Sequence, residues 1–331
     1  MDEPPPTSPV TWRRATADLL HDAVKTSWDL FKVMVPIIVL TKILQELGVV
    51  RPLGIGLGPV MGLVGLPGEM GLVWAGAMLV NLYGGIAVFV SLAPKLAEPL
   101  TVAQMTVLAT MMLVAHGLLI ECRICQKAGA RFRAMLVLRV AGALLIGVLL
   151  SAAYRGWGLL GSPAVTVWKQ ASSDPWLIAQ ARNLLWIFVI ILLLLFLLRV
   201  LKKLGITDAL TRLLEPGLRA LGMSRAAAPI TIIGMTMGLS YGGGLIIREA
   251  QSGRLTRRDV FFSLALMSLC HSLIEDTILM MALGGHWSGV LVARTLFAVL
   301  VVMLLARLFA RVSDRTFDRY LFRPQKTERT G

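Results

Sequence analysis

Long apolar runs alternate along this chain with short polar stretches, and each run approaches the length of a bilayer-spanning helix. Two of them, 28–48 and 182–204, are uninterrupted apart from isolated charges near their ends. Runs of about 18 or more apolar residues read as membrane-spanning helices. Two others, 67–92 and 227–247, are broken by NLYGG (81–85) and LSYGG (239–243). A freed backbone amide in lipid has no water to bond, so such a break needs protein or a cavity around it. The runs 103–121 and 259–280 carry HGLLIE (116–121) and HSLIED (271–276), while 134–154 and 288–310 carry Arg139 and Arg294. Shorter Gly/Pro-rich amphipathic segments occupy 53–66 and 208–223. The pattern predicts an all-α, polytopic integral membrane protein.

The same landmarks occur twice and in the same order. ILQELGVV (43–50) matches VLKKLGIT (200–207), PVMGLVGL (59–66) matches PGLRALGM (216–223), and NLYGGIA matches LSYGGGL. LTVAQ (100–104) then matches LTRRD (255–259), a register that aligns His116 with His271, Glu121 with Asp276 and Arg139 with Arg294. Internal repetition on near-constant offsets marks a duplicated architecture. It divides the chain into a polar lead with an amphipathic helix (1–27), a first repeat (28–154), a linker (155–181), a second repeat (182–310) and a basic tail (311–331).

Charge decides between two topologies. With eight spanning helices, either the loop holding Arg123, Lys127, Arg131 and Arg133 or the tail from Arg307 to Arg329 is external, against the positive-inside bias. With about six spanning helices and two re-entrant YGG segments, every strongly basic stretch falls on one face. The halves then run antiparallel as inverted-topology repeats, an arrangement found in secondary transporters. This places both termini in the cytoplasm of a bacterial cell, with the protein in the inner membrane.

Composition agrees. The 331 residues are 56% hydrophobic and 16% charged, with a mean hydropathy of +0.74, against about 25% charged in soluble domains. The net charge of +14 sits between apolar runs and at the chain ends, which points to cytoplasmic loops and not to nucleic acid. Three cysteines, Cys122, Cys125 and Cys270, make no disulfide framework, and one CxxC without a second is a weak zinc signal. No phosphate loop and no HExxH motif occurs, so an enzyme is not expected.

The chemistry concentrates in two places. Asn81, Tyr83, Gly84, Gly85, Ser240, Tyr241, Gly242 and Gly243 offer backbone and side-chain polar groups at membrane depth, as broken helices do toward a substrate; close helix packing is the alternative. His116, Glu121, Arg139, His271, Glu275, Asp276 and Arg294 are ionisable groups within membrane segments and are functional candidates on that ground. Three roles compete for them: proton or cation coupling, a transition-metal site using Cys270 or Cys122 with the His and acid, and a structural ion pair. No dedicated metal site and no cofactor is assigned.

The sequence LxxLG…P…GLxGLPGEMGL…YGG, followed by a His/acid helix, resembles the nucleoside-recognition, or Gate, domain of spore maturation A and B proteins, nucleoside transporters and ferrous-iron transporters. The resemblance covers 28–154 and again 182–310. It implies a membrane protein with helix–hairpin elements that binds or moves a small solute or ion, nucleoside-like or cationic, with lipid as its surroundings and homo-oligomerisation left open. The alternative it implies is a non-transporting membrane scaffold of the spore-maturation type.

Overall fold

The computed structural model describes residues 12–165, 175–204, 227–238, 247 and 255–323. Among them there is no strand, only isolated bridges at Thr101–Pro163 and Ala130–Phe322. The helices are α1 (Trp12–Glu46), α2 (Val50–Leu63), α3 (Met70–Leu79), α4 (Leu82–Leu92), α5 (Val102–Val114), α6 (Leu118–Lys127), α7 (Phe132–Gly156) and α8 (Trp176–Lys203). They continue as α9 (Ala227–Met237), α10 (Arg257–Leu269), α11 (Glu275–Ala282), α12 (Arg294–Ala310) and α13 (Asp314–Tyr320), with a π-helical turn at Ser288–Ala293 leading into α12. By length and composition Val102–Lys127, Phe132–Gly156 and Ser288–Ala310 can each cross a membrane. The protein is a polytopic all-α membrane protein.

Several sequence expectations change. The amphipathic stretch and the first apolar run are one continuous helix, α1. The segment 67–92 folds into a helical hairpin of α3 and α4, with Gly76 beside Val88 and Gly85 beside Ala77. Ten- and eleven-residue arms reach about 15–16 Å at helical rise, half a bilayer. The break falls at Val80–Asn81 and not at the glycines. Asn81 is extended and its side chain accepts from the Gly84 amide at 2.9 Å, while the Gly85 amide donates to the Asn81 carbonyl at 3.2 Å. Gly84 and Gly85 therefore have no freed amides; Asn81 is an N-cap and the glycines let two backbones approach. The second YGG segment and 208–223 lie outside the described residues.

The predicted helix 103–121 is also broken. Its start is fixed by a capping box, Thr101 with Gln104, and α10 starts identically with Thr256 and Asp259. Each of these helices stops thirteen residues later, just before its histidine. The chain then turns through a left-handed residue, Gly117 (φ +53°) in one half and Ser272 (φ +47°) in the other. Each break is tied to a neighbouring helix, α3 in one half and α9 in the other: Gly117 N–H donates to Ala77 O at 2.9 Å, and Leu273 N–H to Met235 O at 3.0 Å.

Contacts along α12 fix the relative directions. At the Ser288 end, His286 N–H donates to Thr106 Oγ1 at 2.8 Å and Tyr154 Oη meets Ser288 Oγ at 2.8 Å. At the other end, Arg258 donates to Phe309 O and to Val312 O, the latter at 2.8 Å, and Arg131 donates to Asp318 O at 2.9 Å. Thus α5 starts at one end and its counterpart α10 at the other, and α7 runs antiparallel to 288–310. These two pairs of corresponding helices therefore run in opposite directions. The second end is also the basic one, gathering Arg131, Arg257, Arg258, Arg311 and Arg315.

Van der Waals fit at the hairpin gives a direct check. A Cβ on Gly85 would stand 2.7 Å from both Ala77 Cβ and Met112 Cε, whereas one on Gly56 meets nothing within 4 Å. Gly85→Ala is expected to cost about 1–3 kcal/mol through overpacking, and Gly56→Ala to be neutral or stabilising. Thermal unfolding of detergent-solubilised protein measures both.

Candidate functional site

The helix breaks bring residues from both halves into one buried cluster. His116 Nε2 and His271 Nε2 are 3.2 Å apart, with ring centroids at 5.0 Å and planes inclined by 46°. Glu121, in the first turns of α6, places Oε1 3.3 Å from His116 Nε2 and 3.5 Å from His271 Nε2. On an unbroken helix residues 116 and 121 would be splayed apart; the turn at Gly117 folds the acid back over the ring. His271 does not share a helix face with Glu275, because α10 has ended before it and α11 starts at Glu275. Its carboxylate partner is Glu121, from the other half.

Each group is held from behind. His116 Nδ1 lies 3.0 Å from Met112 O, and His271 Nδ1 lies 2.8 Å from Met267 O. A carbonyl only accepts, so each Nδ1 carries a proton and donates it there. In the neutral rings both Nε2 atoms are then bare lone pairs. The other oxygen of Glu121 is taken by Arg139 Nη1, and Arg139 Nε donates to Val114 O at 2.9 Å. Arg139 and Arg294 are both fully buried.

The remaining predicted residues fall around this centre. Arg294 Nη2 reaches Thr277 Oγ1 at 3.4 Å, and its Nε and Nη1 have no hydrogen-bond partner among the described residues. Thr277, and not an acid, is thus its hydrogen-bonding partner. Asp276 lies within electrostatic reach of both imidazoles and of Arg294, and Tyr83, at the hairpin tip, within that of Glu275 and Asp276. Asn81, Gly84 and Gly85 are occupied in capping and packing. Ser240, Tyr241, Gly242 and Gly243 lie outside the described residues. Cys125 Sγ meets Ser268 Oγ at 3.5 Å and Cys270 Sγ meets Thr295 Oγ1 at 3.6 Å; no cysteine joins the histidine–glutamate group. A separate cavity of about 330 Å³, lined by residues including Gln104, Tyr154 and Arg155, contains none of the cluster residues.

Residues 184–287 match a family model described as Gate, nucleoside recognition. Over 289 residues the chain is 30% identical to the uncharacterized membrane protein YvoD of Bacillus subtilis (strain 168), a match spanning 85% of this chain and 91% of YvoD. The chain belongs to this family of Gate membrane proteins. No solved structure matches it. The Gate match contains His271, Glu275 and Asp276 and stops before Arg294. His116, Glu121 and Arg139 lie outside it, so the cluster joins the Gate segment to the preceding half of the chain.

Sequence reading missed the carbonyls of Met112, Met267 and Val114, and Thr277, which orient the charged groups. A usable signal was present for the breaks: TVAQ and TRRD are both capping sequences, and each sets a helix start that leaves its histidine beyond the helix end.

Removing one partner of a buried ion pair strands the other charge, at about 3–5 kcal/mol. Arg139→Met is expected to cost that much, and adding Glu121→Gln to recover most of it. Denaturation of the two single variants and the double variant in detergent measures the coupling.

Proposed function

We propose that this Gate protein is a bacterial inner-membrane, transporter-like protein. It binds and moves a small solute or ion at the interface of two inverted Gate-like repeats, 28–154 and 182–310. The observation that carries the reading is the 3.2 Å contact between His116 and His271, equivalent residues of the two halves. Ionisable groups within membrane segments are costly and mark substrate or ion pathways, and transporter sites form between inverted repeats near the midplane. The α3–α4 hairpin, reaching half a bilayer, brings Tyr83 toward the same region. The second YGG segment would face it from the other half. Positive-inside bias puts the basic end, with both termini, in the cytoplasm.

A scaffold role of the spore-maturation type is favoured by one observation, the buried ion pair of Glu121 with Arg139, which ties α6 to α7. Uptake decides between the two. Purified protein in liposomes is expected to accumulate either a nucleoside or a divalent cation above empty vesicles, and Glu121→Gln to abolish that accumulation. No accumulation by wild type across both classes rejects the transport reading, and equal accumulation by wild type and Glu121→Gln rejects the cluster as its site.

Orientation is checked separately. Against a background in which the three native cysteines, all buried, are replaced, Lys95→Cys is expected to react with an impermeant maleimide from the periplasm. Arg311→Cys is expected to react only after permeabilisation. The reverse pattern would place the basic face outside.

A further inference from the structure

The geometry points to a divalent transition-metal site formed by His116 Nε2, His271 Nε2 and Glu121 Oε1. The three atoms stand 3.2, 3.3 and 3.5 Å apart, a nearly equilateral triangle. Ligands placed about 2.0–2.1 Å from a tetrahedral metal are separated by about 3.3–3.4 Å. The triangle therefore already has the edge lengths of one face of a coordination tetrahedron, with a cation fitting slightly above its plane.

Electrostatics argues the same way. With both Nδ1 protons committed to Met267 O and Met112 O, the neutral rings turn two nitrogen lone pairs toward one carboxylate oxygen, an arrangement that calls for a cation among them. Three acceptors held this close inside an apolar protein repel one another, and a cation at their centre reverses the sign. Each ligand also has the outer partner that metal ligands characteristically have. A backbone carbonyl fixes the tautomer and direction of each imidazole, and Arg139 fixes the carboxylate by holding its other oxygen.

Two imidazoles and one carboxylate are borderline ligands suited to first-row divalent ions such as Zn²⁺, Fe²⁺, Co²⁺ and Mn²⁺. Three protein ligands leave the fourth position of the tetrahedron open, as exchange of a transported ion requires. The cysteines take no part, so this is not the thiolate site that Cys122 or Cys270 would build. Because two ligands come from the first half and one from the second, neither half holds the complete set. The inference gives an ion class to the shared site proposed above and rests on that reading for its transport meaning only; binding is tested apart from uptake.

Full-length protein in detergent, stripped with chelator and equilibrated with Zn²⁺ or Co²⁺, is the test sample. Elemental analysis is expected to find about one metal per chain, and Co²⁺ to give the intense visible bands of a tetrahedral N/O site. His116→Ala, His271→Ala and Glu121→Gln are each expected to weaken Co²⁺ binding by more than about 100-fold, beyond the loss typical of an outer-partner change. Should an alanine variant fail to fold, wild type still reports the site through a Zn²⁺-dependent rise in melting temperature that Glu121→Gln loses. Metal content no higher than that of a folded His116→Ala/His271→Ala double variant overturns the assignment, as does binding indifferent to all three ligands. A cluster that holds only a shared proton gives no metal signal and is likewise excluded as a metal site. Stoichiometric binding without uptake supports the site while rejecting transport; nucleoside uptake with no metal bound does the opposite.

Discussion

A carboxylate inside an apolar, membrane-length chain has to find its counter-charge within the protein, and Glu121 finds it in Arg139. Water is not there to solvate either group, so the cost of burying each is offset only by the other and by further hydrogen bonds. Arg139 adds one such bond to Val114 O, the last residue of α5. That carbonyl is available because α5 ends there and the helical ladder no longer uses it. The helix break, the buried arginine and the orientation of the acid are thus one linked arrangement: restoring the helix through His116 would take away the carbonyl and swing Glu121 away from both rings.

The two breaks are built alike, yet they do different jobs. A contact between equivalent residues of a duplicated structure arises only where they straddle the pseudo-symmetry axis, and His116 with His271 is such a contact. Around it the symmetry fails in a useful way. Glu121 is matched by Asp276, one methylene shorter, and Glu121 is the acid that touches both imidazoles. Arg139 is matched by Arg294, which bonds Thr277. Gly117 is matched by Ser272, a side chain held at positive φ at a cost of about 1–2 kcal/mol. Both arginines keep buried donors without a partner among the described residues, Nη2 of Arg139 and Nε and Nη1 of Arg294; the halves differ in that Arg139 pairs with an acid and Arg294 with a hydroxyl.

Much of this was legible in the chain, for identifiable reasons. The repeated spacing singled out His116 and His271, which meet in the structure, and Arg139 and Arg294, which are both buried, because ionisable groups within apolar runs are visible in composition alone. The hairpin was readable from NLYGG, although the glycines drew attention from Asn81, the residue that starts α4. The contact of Glu121 with the histidine of the other half was not readable. Periodicity describes faces of continuous helices, and MMLVAHGLLIEC contains no proline to announce a stop. Its only local mark is Gly117, whose left-handed conformation is imposed by the Ala77 carbonyl it bonds, a residue forty positions earlier.

Which contacts belong to one half and which cross between halves determines how the cluster behaves when the halves move. Arg139 with Glu121, His116 with Met112, and His271 with Met267 are all internal to a half. They hold each ligand in its rotamer and tautomer whatever the other half does. The contacts of His271 with His116 and with Glu121 cross the interface. A rocking of one half against the other therefore leaves every ligand prepared while changing only the distances between them. Separation of the halves would split the proposed triangle into two fragments, one with an imidazole and a carboxylate and one with an imidazole alone. Hydrogen bonds tie the α3–α4 hairpin to the turn after His116 and α9 to the turn after His271. The geometry of the central cluster is thus set by contacts across the interface, while the orientation of each of its members is set within one half.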